Sequence, residues 1–162
     1  MKNIKLVFCI AALSLFIGST AWAKSKEKEI KISAKSLKDN KFGRPDGQFS
    51  YDYKAESENL VLFWDKSFGK NPATYADKFR RFYPDEILRE GERFYTYYVD
   101  KLKFADKKKS LSSRYKMIIW MYNDDKTTAY GWGEDGVGMM WMRPCRAQSY
   151  PCLLYTSPSP RD

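Results

Sequence analysis

Ser57-Glu58-Asn59-Leu60-Val61-Leu62-Phe63-Trp64-Asp65-Lys66 holds five consecutive apolar residues between polar ends. A short unbroken run with β-branched and aromatic members fits a strand buried on both faces, the kind found inside parallel sheets. A second run of this type, Met117-Ile118-Ile119-Trp120-Met121, lies within residues 115–122. Between the two, residues 84–103 place Ile87, Leu88, Gly91, Phe94, Tyr95, Tyr98, Val99 and Leu102 at spacings of three and four, the apolar stripe of an amphipathic helix. Pro84 suits a first turn, and Asp85 and Glu86 sit where the helix dipole favours anions. Gly91 costs about 1 kcal/mol relative to alanine in mid-helix, which implies that another backbone comes close. Strand, helix, strand in this order implies a crossover to a parallel neighbour.

Working outward, Tyr130-Gly131-Trp132-Gly133 and Val137-Gly138-Met139-Met140-Trp141-Met142 flank Asp135-Gly136, a hairpin signal. The strand at 137–142 is expected at or near a sheet edge, its glycines marking the close approach of another backbone or of a ligand. Plain sheet packing accounts for the same residues. Toward the other end, Phe49, Tyr51 and Tyr53 alternate with polar residues, as in a short half-buried strand, and residues 75–82 suggest a further helix. The expected fold class is α+β, a twisted mixed sheet of about four strands backed by an amphipathic helix. The domain at 56–151 is expected to be incomplete.

Both ends read differently from the middle. Residues 1–23 carry Lys2 and Lys5, then an apolar run from Leu6 to Gly18, then Ala21-Trp22-Ala23, the layout of a signal peptide cleaved after Ala23. The run falls short of the roughly 20 apolar residues of a membrane span. The expected location is therefore secreted, periplasmic or cell-surface, with no stable membrane anchor after cleavage. Residues 152–162, Cys152-Leu153-Leu154-Tyr155-Thr156-Ser157-Pro158-Ser159-Pro160-Arg161-Asp162, back-translate to a sequence that resembles a transposon end and library adapter codon for codon. They are expected to be non-native, with the native reading cut near Pro151.

Without those ends, the net charge of +9 becomes +7, from 26 lysines and arginines against 19 acids. Seven lysines against three acids between Lys24 and Lys41 supply most of it, so residues 24–55 are expected to form a solvated, flexible basic lead. No nucleic-acid motif accompanies that charge, and no nucleic-acid partner is expected. Cys145 is the one cysteine left; it either pairs with a cysteine beyond the break or stays a buried thiol.

The chain has no histidine, which excludes Ser-His-Asp, Cys-His and histidine-bearing zinc sites within these residues. It has no P-loop, Cys-x-x-Cys or dinucleotide fingerprint. The pairs Asp85-Glu86, Asp124-Asp125 and Glu134-Asp135 read first as helix-start or turn residues, and Asn123-Asp124-Asp125 lacks the spacing of a calcium loop. No catalytic residue, metal ligand or cofactor is expected here.

Residues 57–69, 115–122 and 136–142 together resemble the opening of a family of secreted bacterial proteins similar to zincin-type zinc metallopeptidases. The resemblance covers about residues 57–145. It implies the upper half of a zincin: a twisted sheet with a backing helix, and an edge strand along the cleft just before an H-E-x-x-H helix, with Gly138, Met139, Met140, Trp141 and Met142 as the candidate substrate-facing edge strand that pairs with an extended peptide. Two histidines would bind zinc there and the glutamate would activate water, all past Pro151. The chain would then be the non-catalytic N-terminal portion of a peptidase that uses zinc in its full-length form. A second reading from another class is a non-catalytic surface or glycan-binding module, suggested by 17% aromatic residues and by Trp132 and Trp141, both expected at the surface to stack on sugars.

Overall fold

The computed structural model describes residues 27–107, 109–126 and 129–144. The expected signal peptide, Cys145 and residues 152–162 lie outside them. In chain order the elements are α1 (Ala34–Asp39), β1 (Lys54–Glu56), β2 (Leu60–Trp64), α2 (Pro84–Tyr95), β3 (Met117–Met121), β4 (Tyr130–Glu134) and β5 (Val137–Met142).

The two apolar runs become β2 and β3, which lie side by side and parallel, with Leu60 opposite Met117 and Trp64 opposite Met121. β5 joins the far side of β3, also parallel. β1 and β4 pair antiparallel with β2 and β5 at the two ends. The result is a mixed sheet in the order β1-β2-β3-β5-β4, the expected α+β class with one strand more than the sequence suggested. β1 is three residues long, too short for a period-two pattern to stand out.

Every residue of β2 is buried, as a strand inside a covered sheet requires. Alternate side chains divide into two cores. Val61, Phe63, Ile118, Trp120, Val137, Met139 and Trp141 meet Phe49 on one face. Leu60, Leu62, Trp64, Ile119 and Met121 meet Phe68, Phe82 and Leu88 on the other. α2 and the turns before it cover the second face.

The first face is covered by the basic lead, which differs from the solvated tail expected. Ile30, Ile32 and Phe42 pack against that core, and Phe49 is fully buried among them. Glu29 bridges to Tyr115 in parallel, through backbone bonds from Glu29 N to Arg114 O and from Lys116 N to Glu29 O, both 2.9 Å. A charge count over residues 24–41 hides these few apolar anchors, and they are what the sheet face needs.

Two local expectations also change. Residues 75–82 form no α-helix; Asn71 and Asp77 instead cap 3-10 turns at Pro72–Thr74 and Lys78–Arg80 by accepting from Ala73 N and Phe79 N. Such side-chain bonds offer the backbone an alternative to the helix ladder. Phe49 lies just before, and Tyr51 and Tyr53 within, a turn closed by Tyr53 N donating to Ser50 O, and the strand begins at Lys54. The long helix spans its expected range, but beyond Tyr95 it continues as a π-helical segment, Thr96–Lys101. At Gly91 a β-carbon would lie 2.5 Å from Leu60 Cδ1, so a β2 side chain, rather than a backbone, claims that space.

Glu92 fastens α2 to the start of β2. Its Oε1 accepts from Ser57 Oγ and Asn59 N and its Oε2 from Asn59 Nδ2, each at 2.6 Å. Hydrogen bonds to a charged acceptor contribute about 1.5–3 kcal/mol. Glu92→Ala is therefore expected to lower stability by about 2–3 kcal/mol in a denaturant titration. Glu90→Ala, which breaks only exposed pairs with Arg89 and Arg93, should stay within about 0.5 kcal/mol.

Candidate functional site

The hairpin of β4 and β5 turns through Asp135 and Gly136, whose φ values of 51° and 76° are both positive. That is the type I′ turn its Asp-Gly pair favours. A two-residue turn makes its flanking pair, Glu134 and Val137, a hydrogen-bonded one, and such pairs alternate along an antiparallel ladder. Tyr130, Trp132 and Glu134 therefore direct their amides and carbonyls inward to Trp141, Met139 and Val137. Gly131 and Gly133 direct theirs to the open side, where no strand lies among the described residues.

The expected edge strand needs correction. Gly138, Met139, Met140, Trp141 and Met142 belong to β5, which has β3 on one side and β4 on the other. The long free edge belongs to β4. Trp141 is also buried, 8% exposed, rather than at the surface. Trp132 does lie there, at 68% exposed, with Tyr130 at 55%. The signal for β4 was the large-small alternation of Tyr130-Gly131-Trp132-Gly133-Glu134, a period of two with every second side chain missing.

Because the period is two, the side chains of Tyr130, Trp132 and Glu134 share one face of the sheet, the face covered by the lead. Tyr130 stacks on Trp141 with centroids 4.8 Å apart and planes 9° from parallel. Glu134 is gripped from the lead: Oε2 accepts from the Ser33 hydroxyl and, at 2.9 Å, from Ser36 Oγ, while Lys35 Nζ lies 3.5 Å from Oε1. Ser33 is also the N-cap of α1, so one short helix presents three partners to one carboxylate. Lys35, Tyr130, Trp132, Glu134 and Trp141 line a shallow hollow of about 200 Å³. A larger hollow of about 380 Å³ on the outer face of α2 is lined by Arg89, Glu92, Arg93, Thr96, Tyr97 and Lys101, but its one carboxylate is committed to Ser57 and Asn59.

The turn after β3 is also committed. Arg143 holds Asp124 by two bonds of 2.8 Å, which keeps that carboxyl below its ordinary range. Asp125 pairs with Arg80. Among the described residues no three Cys, His, Asp or Glu side chains converge as metal ligands, and the chain supplies no histidine.

The Ser33 hydroxyl, with Ser36 and Lys35 behind it, holds the Glu134 carboxyl below the usual glutamate range. A carboxyl whose folded pKa is lowered stabilises the fold above its unfolded pKa, about 4.3, and loses that contribution as the pH falls through the folded value. Glu134→Ala is expected to cost about 1–3 kcal/mol at pH 7. The gap from the parent should close as both are titrated well below the ordinary glutamate range, read from denaturant midpoints at each pH.

Residues 22–154 match the sequence model of a family of unknown function, DUF6055. The match spans more than half of the chain and runs past Pro151 to Leu154. No curated protein and no solved structure matches the chain.

Proposed function

This chain belongs to the DUF6055 family, and we propose that it forms the peptide-binding sheet of a secreted, zincin-like protein, with an extended peptide added as a strand along β4. The observation that carries this reading is the free edge of β4, where Gly131 and Gly133 turn their backbone groups outward. Peptides that bind by strand addition take their affinity from such main-chain bonds. Folded proteins blunt long edges with lysine, proline, bulges or covering loops, and β4 has neither lysine nor proline over five residues.

The order of elements supports the zincin part of the reading. A zincin sheet has a backing helix and an edge strand beside the cleft, and here α2 backs the sheet while antiparallel β4 forms its edge, just before β5. The residues present do not fit a zinc site: the chain has no histidine, no three Cys, Asp or Glu side chains converge among the described residues, and Asp124, Asp125, Glu92 and Glu134 are tied to Arg143, Arg80, Ser57, Asn59 and Ser33. No step of peptide cleavage is assigned to them. In this reading the zinc-binding helix follows β5 outside the described residues, and the part played by this chain is to hold and align the peptide.

Strand addition is tested by titrating a randomised pool of extended peptides into the labelled protein. The amide signals of Gly131 and Gly133 should move and their exchange should slow. Gly133→Pro, which removes one outward N–H at an edge position where proline is tolerated, should weaken binding about tenfold. Shifts confined to another surface, or unchanged affinity in Gly133→Pro, contradict the reading. The peptidase part is tested on the gene: an in-frame H-E-x-x-H helix is expected within about 10–40 codons of Pro151. A continuation without it leaves a binding protein only.

A further inference from the structure

The face of β4, as distinct from its edge, carries the hollow of Lys35, Tyr130, Trp132, Glu134 and Trp141. We propose that this hollow is a glycan subsite that takes a neutral hexopyranose ring, with the ring stacked on Trp132 and its hydroxyls shared between Glu134 and Lys35. The inference does not depend on strand addition, because the backbone groups of Gly131 and Gly133 lie in the plane of the sheet while these side chains stand off one face.

Trp132 is the most exposed of the large aromatic residues on the sheet. A solvent-facing indole of this size adds nothing to the core, and its electron-rich face attracts the slightly positive C–H groups on the flat side of a pyranose. Successive side chains on one face of a strand stand about 6.8 Å apart, so Tyr130 and Glu134 flank Trp132 at the spacing of a sugar ring and its substituents. Tyr130 is already fixed by its stack on Trp141, and a fixed platform loses little entropy on binding.

The polar groups are fixed as well, and they are incompletely used. Glu134 Oε2 takes both serine hydroxyls, whereas among the described residues Oε1 has only Lys35 Nζ at 3.5 Å, too long for a strong hydrogen bond. Oε1 can therefore accept from one hydroxyl while the Lys35 ammonium donates to its neighbour. A carboxylate and an ammonium side by side present no net charge, which favours a neutral sugar over a uronate or a sulfated unit. A mostly apolar concavity with a few convergent polar groups is the usual make-up of a small-ligand site.

The test uses the full chain and a panel of neutral hexasaccharides built from glucose, mannose, galactose or N-acetylglucosamine, with a hexauronate as the charged control. At least one neutral member should shift the Trp132 indole N–H signal saturably, and the hexauronate should not. Trp132→Ala should weaken that binding about tenfold or more, and Lys35→Ala, at a side chain 71% exposed, should weaken it with unchanged thermal stability. Gly133→Pro should leave it intact, which separates this site from peptide addition. The proposal is overturned if no neutral member moves the indole signal, if Trp132→Ala binds as well as the parent, or if the indole answers only to peptides.

Discussion

Val61, Phe63, Ile118 and Trp120 point to one side of the sheet, and Leu60, Leu62, Ile119 and Met121 to the other. Neither side can face water, because leaving one large apolar side chain exposed costs about 1.5–3 kcal/mol and each face of β2 and β3 carries several. Two covers are therefore compulsory. α2 supplies one through Leu88 and the aromatic residues before it. The lead supplies the other through Ile30, Ile32, Phe42 and Phe49, although its composition is that of a solvated basic segment. The two covers meet at Asn59, which donates to Glu92 of α2 and accepts from Lys28 of the lead. Lys28 also reaches Tyr95 at 3.0 Å, so the start of β2 is clamped from both layers.

Functional potential arises where these covers stop. α2 lies over β1 and β2, the lead grips β4 at Glu134, and no element extends past β4 among the described residues. The hairpin thus projects with an open edge, a glycine-lined side and an aromatic side. In the two proposals the surfaces used recognise by different physics: main-chain hydrogen bonding along the edge, and stacking on the aromatic face. The grip of Ser33 and Ser36 on Glu134 joins the lead to this region, so the segment that completes the core also shapes the hollow beside Trp132.

Much of the fold was legible because it depends on local pattern. Unbroken apolar runs gave β2 and β3, the three-four stripe of Ile87, Leu88, Phe94 and Tyr95 gave α2, and Asp135-Gly136 gave the hairpin. What was not legible is order within the sheet. Nothing in Val137–Met142 says whether β4 lies outside it or elsewhere, so the edge was placed one strand too far inward. The docking of the lead was hidden because four apolar residues are diluted among lysines, and the role of Glu134 because its partners Ser33 and Ser36 lie about a hundred residues earlier in the chain. Trp132 was legible as a surface residue, whereas Trp141 two ladder positions away was not, since burial on one face depends on which cover extends that far.

Among the described residues β4 is the open edge, and Gly131 and Gly133 carry its free backbone groups. Residue-resolved amide hydrogen exchange on the unliganded chain tests it most directly. Gly131 and Gly133 are expected to exchange close to the unprotected rate while Tyr130, Trp132 and the β5 amides between them and β3 are strongly protected. Equal protection along all of β4, or the reverse alternation, would contradict it.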